Sequence, residues 1–288
     1  GRDLLERTAA AAEASGDPIT ASILRANAQL LIPQRPAEDL LEVVANRGLN
    51  QAMKKYGPRE LVSPTAEFPL QVDRKRALFG SWYEFFPRSE GARLGDDGRW
   101  ISGTFDSCHE RLEQIAAMGF DVVYFPPIHP IGTAFKKGKN NTLDATDADP
   151  GSPWAIGNAA GGHDAIHPDL GDWDAFDRLV ARARELGLEI ALDFALQASP
   201  DHPWVTTHPE WFTTRIDGTI AYAENPPKKY QDIYPINFDN DPDGIYHEVL
   251  RILKLWMGHG IRIFRVDNPH TKPVNFWGWI MRQLRETD

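Results

Sequence analysis

Gly187-Leu188-Glu189-Ile190-Ala191-Leu192-Asp193-Phe194 reads as the stop of one helix followed at once by an apolar strand. Glycine supplies the left-handed C-cap that lets a helix turn directly into a strand. The same junction recurs at Gly119-Phe120, ahead of Val122–Phe125, and at Gly260-Ile261, ahead of Ile263–Val266. The preceding helices carry Phe176, Leu179, Val180 and Ala183, and Val249, Ile252, Leu253 and Trp256, at helical spacing, so these are core faces. Apolar runs alternating with amphipathic helices mark parallel strands joined by crossover helices. Upstream, Leu78–Phe86 fits a first strand and Asp106–Met118 a first helix, with Ser107 and Glu110 spaced as a capping box and Leu112, Ile115 and Ala116 on one face.

The three glycines recur at intervals of about 70 residues, more than twice the ~30 of a minimal strand-helix-strand unit. Extra chain must therefore sit in the loops after the strands. In a (β/α)8 barrel those loops build the active site, whereas a doubly wound sheet keeps them short beside a cofactor. No G-x-G-x-x-G follows a strand. The expected fold class is thus α/β: the N-terminal half of a (β/α)8 TIM barrel, strands 1 to 4, preceded by a small helical bundle. Residues 1 to about 57 are poor in strand formers and punctuated by Pro18, Pro33, Pro36 and Pro58, with Leu4, Leu5, Ile23, Leu24, Leu30, Leu31, Leu40, Leu41, Val44 and Met53 as apolar stripes. A connector from Pro58 to Pro69 follows. The expected organisation is a helical region over 1–66 and the barrel half over 67–288, with an inserted loop subdomain at about 195–242. Four strands where a barrel has eight, and a chain that opens on Gly1 and closes on an unpunctuated Arg285-Glu286-Thr287-Asp288, suggest a segment of a longer protein.

Composition narrows the function classes. Among 288 residues, 31 Lys and Arg stand against 41 Asp and Glu, a formal charge of −10 without a basic stripe. Nucleic acid and membrane surfaces are excluded as partners, because counterion release needs clustered cations. One cysteine, Cys108, rules out an internal disulfide. No apolar window approaches the ~20 residues of a membrane span and no signal peptide opens the chain, so a cytoplasmic location is expected. Nine Trp are the oddity. Indole faces pack against sugar rings, or simply fill a core.

Chemistry concentrates at strand ends. The last strand closes on Arg265-Val266-Asp267-Asn268. In an extended chain Arg265 and Asp267 share a side, making Asp267 either a nucleophile with a neighbouring cation or half of a structural ion pair. The previous strand ends in Asp193, followed by Gln197 and the cluster Pro200, Asp201, His202, Pro203, Trp204.

These strand ends resemble glycoside hydrolase family 13, the α-amylase clan, whose fourth-strand R-x-D is matched by Arg265-Val266-Asp267. The segments Gly80-Ser81-Trp82-Tyr83-Glu84-Phe85-Phe86-Pro87-Arg88-Ser89, Pro126-Pro127-Ile128-His129-Pro130-Ile131-Gly132, Ser152-Pro153-Trp154-Ala155-Ile156-Gly157 and Asp193-Phe194-Ala195-Leu196-Gln197 are similar to one subfamily, the bacterial maltosyltransferases that use maltose 1-phosphate, over about residues 70 to 288. The resemblance implies retaining transfer of maltosyl units from α-maltose 1-phosphate to the non-reducing end of an α-1,4-glucan, with release of phosphate. It implies Asp267 as nucleophile and Arg265 as its orienting cation. It places the donor phosphate near Asn225, Lys228, Tyr230 and Asn268, the sugar rings at Lys137, Asn141 and Gln197, and Ser152 in the donor pocket, with Asp193 among the binding residues. No cofactor or metal is implied, and a homodimer is expected for the full-length protein. On residues alone, Lys136, Lys137, Lys139, Lys228 and Lys229 read equally well as solvated loop charges. The amylase third-strand pattern D-x-x-x-N-H stands here as Asp193-Phe194-Ala195-Leu196-Gln197-Ala198, which counts against plain amylase activity. The family's acid, a Glu ending the fifth strand, and an Asp after the seventh lie outside these residues, so the segment alone is expected to be inactive. Two alternatives stay open: an α-glucan hydrolase or other transglycosidase of the clan, and a non-catalytic glucan-binding segment.

Several other patterns invite chemistry. Asp239-Asn240-Asp241-Pro242-Asp243-Gly244 matches the first half of a calcium loop but lacks the acidic twelfth residue, which is Leu250; Asp243 is the expected N-cap instead. His163 and His167 are four apart but flanked by Gly161-Gly162 and Pro168, poor ground for a metal pair. Asp144, Asp147 and Asp149 read as a solvated loop, and Cys108 beside His109 as core more than nucleophile.

Overall fold

The computed structural model describes every residue except Leu61, Pro64, Pro69 and Asp288. Two prolines of the expected connector therefore lie outside the described residues. The chain forms two compact units, Gly1–Val72 and Asp73–Asp288.

The first unit is four helices, α1 (Arg2–Ala14), α2 (Pro18–Leu30), α3 (Ala37–Ala45) and α4 (Arg47–Tyr56). Caps set their starts: Asp17 accepts the Thr20 N–H at 3.1 Å with Pro18 in the first turn, and Asn46 accepts the Leu49 N–H at 3.0 Å. The core is built from Leu5, Ala9, Ala12, Ala21, Leu24, Ala28, Val43 and Leu49. Of the expected stripe, Leu4, Ile23, Leu41 and Val44 are exposed instead. Ala9 and Ala12 on α1, and Ala21 and Ala28 two turns apart on α2, let the two backbones approach closely, and the bulkier neighbours turn outward.

The second unit holds one parallel sheet of β1 (Trp82–Glu84), β2 (Val122–Phe125), β3 (Glu189–Phe194) and β4 (Ile263–Val266), adjacent in chain order. Helices α5 (His109–Ala117), α6 (Trp173–Glu185) and α7 (Pro242–Gly258) precede β2, β3 and β4, and α8 (Val274–Arg285) follows. Pleating sends alternate side chains to opposite faces. Val123, Phe125, Ile190, Leu192 and Phe194 join Leu112, Ile115, Phe176, Leu179, Val249, Leu253 and Trp256 in the main core. Val122, Tyr124 and Ala191 form a smaller cluster with Ile263 on the other face.

All three glycine junctions close as Schellman turns. Gly119 donates to Ala116 O at 3.0 Å and Phe120 to Ile115 O at 3.4 Å; Gly187 and Leu188 repeat the pattern with Arg184 and Ala183, and Gly260 and Ile261 with Met257 and Trp256. The glycines have φ of 86°, 76° and 89°. At Gly187 an added Cβ would meet nothing within 4 Å, so only the left-handed backbone resists a side chain. Gly187→Ala is therefore expected to destabilise this unit by about 1 to 2 kcal/mol. Denaturant unfolding should show a lower midpoint at unchanged slope; an unchanged midpoint would remove glycine from the account of this junction.

Three expectations change. The first strand pairs only over Trp82–Glu84, because Lys75–Leu78 forms a helical turn and the Ser81 N–H goes to the Asp121 carboxylate at 2.9 Å. The capping box lies three residues earlier: Thr104 N–H donates to Ser107 Oγ at 2.8 Å and Ser107 N–H to Thr104 Oγ1 at 3.2 Å, ahead of a 3-10 turn at Asp106–Cys108. Helix α7 is capped by Asp241, which accepts the Gly244 N–H at 3.0 Å with Pro242 in the first turn; Asp243 is the acidic residue within that turn.

After β3, the chain pairs Gln197-Ala198 with Tyr234-Pro235, runs through a short helix at Pro203–Thr207, and forms a hairpin of Ala223–Asn225 with Lys228–Tyr230. Among the described residues no helix is long and apolar enough to cross a membrane.

Candidate active site

Register explains how the carboxylates meet. Arg265 on β4 is the direct neighbour of Asp193 on β3, so both side chains leave the same face of the sheet. Two residues on, Asp267 returns to that side, its N–H still bonded to Phe194 O at 3.1 Å. Arg265 Nη1 bridges the two carboxylates, 2.9 Å from Asp193 Oδ2 and 2.8 Å from Asp267 Oδ1. The pair read from R-x-D is thus a three-member network. Tyr124 OH also donates to Asp193 Oδ2, and the Arg265 guanidinium stands 5.7 Å from the Tyr124 ring centre.

The two carboxyls differ in kind. Asp193 is wholly buried, its Oδ1 has no partner, and burial pushes its carboxyl up to about 6 against the pull of Tyr124 and Arg265. Asp267 remains 18 % exposed, with Oδ2 steadied by Asn268 Nδ2 at 3.1 Å. Asn268 adopts a left-handed φ of 46°, which turns the chain away beyond Asp267. An aspartate fixed by ladder, guanidinium and amide, with an edge open to solvent, suits attack on an electrophilic carbon.

Asp267 opens onto a cavity of about 750 Å³ at the ends of β3 and β4. The expected residues Asn141, Ser152, Gln197, Asn225, Tyr230 and Asn268 line it with Asp267. Asp193 and Arg265, bonded to each other, are not among the residues that line it. Lys228 is exposed on the hairpin, where its main chain pairs with Asn225, and it too lies off the wall. Lys137 is the opposite of a solvated loop charge: its side chain is 6 % exposed and its Nζ lies 3.8 Å from Asp232 Oδ1. The sequence reading missed Trp154, Asp232 and Lys272, all on the wall. Trp154 had a signal, since it sits inside the quoted Ser152–Gly157 segment; its carbonyl accepts from Gln197 Nε2 at 3.1 Å. The other two had none.

The remaining polar motifs are structural. His163 and His167 do not share a face: His167 Nδ1 accepts the Asp169 N–H at 3.2 Å, while His163 is buried and stacks on Trp204 with ring centres 4.9 Å apart. A relay of hydrogen bonds fixes the tautomers. Trp204 N–H donates to His202 Nδ1 at 3.0 Å, His202 Nε2–H to His163 Nδ1 at 3.1 Å, and His163 Nε2–H to Ala195 O at 2.8 Å. His129 donates from Nδ1 to Ala165 O at 3.0 Å. Burial lowers all three imidazoles to about 3. Gly157 and Gly162 press on His202, where an added Cβ at either would come within 2.2 Å of the ring. Cys108 is buried, and burial pushes its thiol up to about 12, so it is no nucleophile. Asp149 accepts the Thr146 N–H at 2.7 Å beside exposed Asp144 and Asp147.

No protein-family profile matches the chain. Among curated proteins it is 59 % identical over 263 residues to the α-1,4-glucan:maltose-1-phosphate maltosyltransferase of Arcanobacterium haemolyticum, covering 90 % of this chain and 38 % of that protein. To maltosyltransferase 1 of Streptomyces coelicolor it is 57 % identical over 288 residues, 100 % of this chain and 42 % of the relative. To the Mycobacterium tuberculosis protein of the same name it is 53 % identical over 287 residues, 100 % and 38 %. The chain spans about two fifths of the length of these relatives. Among solved structures, an α-amylase from Lactobacillus plantarum superposes with a TM-score of 0.58 at 25 % identity over 72 % of this chain and 43 % of its own. A noncanonic maltogenic α-amylase from Thermotoga neapolitana gives 0.57 at 25 % over the same shares. More than half of the residues are identical along essentially the whole chain, so the chain is similar to about two fifths of the length of the α-1,4-glucan:maltose-1-phosphate maltosyltransferases, and its parallel sheet resembles that of the α-amylases.

Proposed function

We propose that this chain carries the nucleophile half of a retaining maltosyltransferase. Its four parallel strands are the first half of a (β/α)8 barrel, whose remainder supplies the general acid and a second stabilising carboxylate. Asp267 attacks the anomeric carbon of α-maltose 1-phosphate, phosphate departs, and the 4-hydroxyl at the non-reducing end of an α-1,4-glucan then captures the β-maltosyl ester. Two inversions give net retention. Arg265 orients Asp267 and offsets its charge. The donor phosphate is held by Asn225, Lys228, Tyr230 and Asn268, which need no metal to bind a dianion. Lys137, Asn141, Ser152 and Gln197 contact the sugar.

The observation that carries this reading is the placement of Asp267, held by Arg265 and Asn268, on the wall of the cavity that Asn225 and Tyr230 also line. Asp193 does not fit the role of acid despite its raised pKa, because its side chain is fully buried beneath Arg265 and Tyr124. A retaining mechanism needs its acid about 5 Å from the nucleophile and in contact with the leaving oxygen. We therefore expect no turnover from the 288 residues by themselves.

The test is full-length protein incubated with α-maltose 1-phosphate and glycogen. Phosphate should appear in step with glucan elongation; glucan shortening without phosphate would instead identify a hydrolase. Lys228→Ala should raise KM for the donor about ten-fold or more, the value of one charge-assisted hydrogen bond, with kcat little changed. An unchanged KM would take Lys228 out of the phosphate site.

A further inference from the structure

Two loops that feed the cavity wall are joined by one carboxylate. Asp201, on the loop after β3, accepts at Oδ2 from the Thr133 N–H at 2.6 Å, the Thr133 hydroxyl at 2.8 Å and the Ala134 N–H at 2.9 Å, all on the loop after β2. Burial by itself would raise this carboxyl, yet the donors from Ala134 and Thr133 hold it below its ordinary value, so it accepts as an anion. Its own backbone is anchored. The Asp201 N–H donates to Ser199 Oγ at 3.1 Å, and Ser199, fully buried, donates its N–H to Ile156 O at 2.7 Å.

What Asp201 grips is a turn under strain. The Lys136 N–H closes back on Thr133 O at 3.3 Å, and the third residue of the turn, Phe135, has a φ of 54°. That corner ordinarily takes Gly or Asn, because a Cβ there crowds the backbone. Phe135 is 63 % exposed, so burial of its ring does not compensate. The compensation comes from the three bonds to Asp201, which fix the two residues ahead of Phe135. Beyond the turn the chain delivers first the buried Lys137 and then Asn141 on the cavity wall. We propose that Asp201 is a positioning residue for donor binding: it locks the turn over 133–136 in a shape that Phe135 would otherwise relax, and so sets where Lys137 and Asn141 meet the substrate. This rests on the maltosyl-transfer reading above and adds to it a residue that is not among those lining the cavity.

Phosphate release by full-length wild type, Asp201→Ala, Phe135→Gly and the double variant is measured against maltose 1-phosphate concentration, beside a thermal melt of each. Asp201→Ala should raise KM for the donor about ten-fold or more with kcat within about three-fold, since the misplaced contacts serve ground state and transition state alike. Glycine takes a positive φ without strain, so the same aspartate change made in the Phe135→Gly background should raise KM less than about three-fold. A clamp that only holds the fold together would lower the melting temperature and leave KM unchanged. That result, or a rise in KM that Phe135→Gly fails to relieve, would overturn the proposal. Should Asp201→Ala not fold, Asp201→Asn, which keeps the shape and loses the charge, carries the same comparison, its rise in KM again falling in the Phe135→Gly background. Failure of wild type to release phosphate from maltose 1-phosphate would instead sink the maltosyl-transfer reading, and this inference with it.

Discussion

Asp267→Ala in the full-length protein is expected to abolish phosphate release from maltose 1-phosphate, a loss on the order of 10⁴-fold or more in kcat, while the donor still binds. Removal of the carboxylate leaves no group to form the glycosyl ester, and water entering the vacated space attacks far more slowly than a positioned oxygen. The variant should nevertheless fold. Arg265 Nη1 keeps its bond to Asp193, and the backbone link from residue 267 to Phe194 does not depend on the side chain. Steady-state phosphate release, equilibrium binding of the donor and a thermal melt separate these effects. Turnover retained within about ten-fold of wild type would remove Asp267 from the nucleophile's role.

Mild acid should unfold the second unit. In the unfolded chain His129, His163 and His202 titrate near 6.5, whereas in the fold burial holds them at about 3. Between those values the unfolded chain binds more protons, so the stability they contribute is complete above about pH 6.5 and is lost as pH falls, by about 1.4 kcal/mol per pH unit for each imidazole. Asp193 acts in the opposite sense. Raised to about 6, it stays protonated in the fold where the unfolded chain ionises, so it favours folding below about pH 4 and loses that contribution as pH rises toward 6. One carboxyl against three imidazoles leaves a steep net loss toward acid. Two pH units across three histidines amount to about 8 kcal/mol, comparable with the whole stability of a domain. Near-ultraviolet circular dichroism against pH should show cooperative unfolding at about pH 4 to 5, with an uptake of two to three protons. Constant stability from pH 7 to 5 would show that these rings are not held neutral.

The parts of the structure legible in the sequence are those set by local geometry. A glycine after an amphipathic run, with an apolar run directly beyond it, has few conformational options, and all three such sites close alike. The alternation of a strand put Arg265 and Asp267 on one side, as the bridge between them requires. Where two residues compete for one local task, the sequence was ambiguous. Thr104 and Ser107 cap each other although Ser107 and Glu110 have equal spacing, and Asp241 outcompetes Asp243 because Pro242 fixes the first turn between them. The apolar run at Leu78–Phe86 looked like one long strand because the Asp121 carboxylate that takes the Ser81 N–H is about 40 residues away. The burial of Lys137 and Asp232, and the joining of His129, His163 and His202, come from loops converging after different strands. No periodicity encodes such meetings, so the site was legible as far as its strand-borne aspartates and the family motifs reached.

The sheet's two ends are built to different tolerances. Where chain enters a strand, a single left-handed residue and two backbone hydrogen bonds complete the turn, leaving almost nowhere for insertion or drift. Where chain leaves β2 and β3, dozens of residues run through short turns before the next long helix, α6 or α7, stapled by short pairings such as Gln197-Ala198 with Tyr234-Pro235. Change is therefore channelled: the rim where the loops line the cavity can absorb insertion and substitution, while the opposite rim, closed by single-residue turns, holds the scaffold fixed.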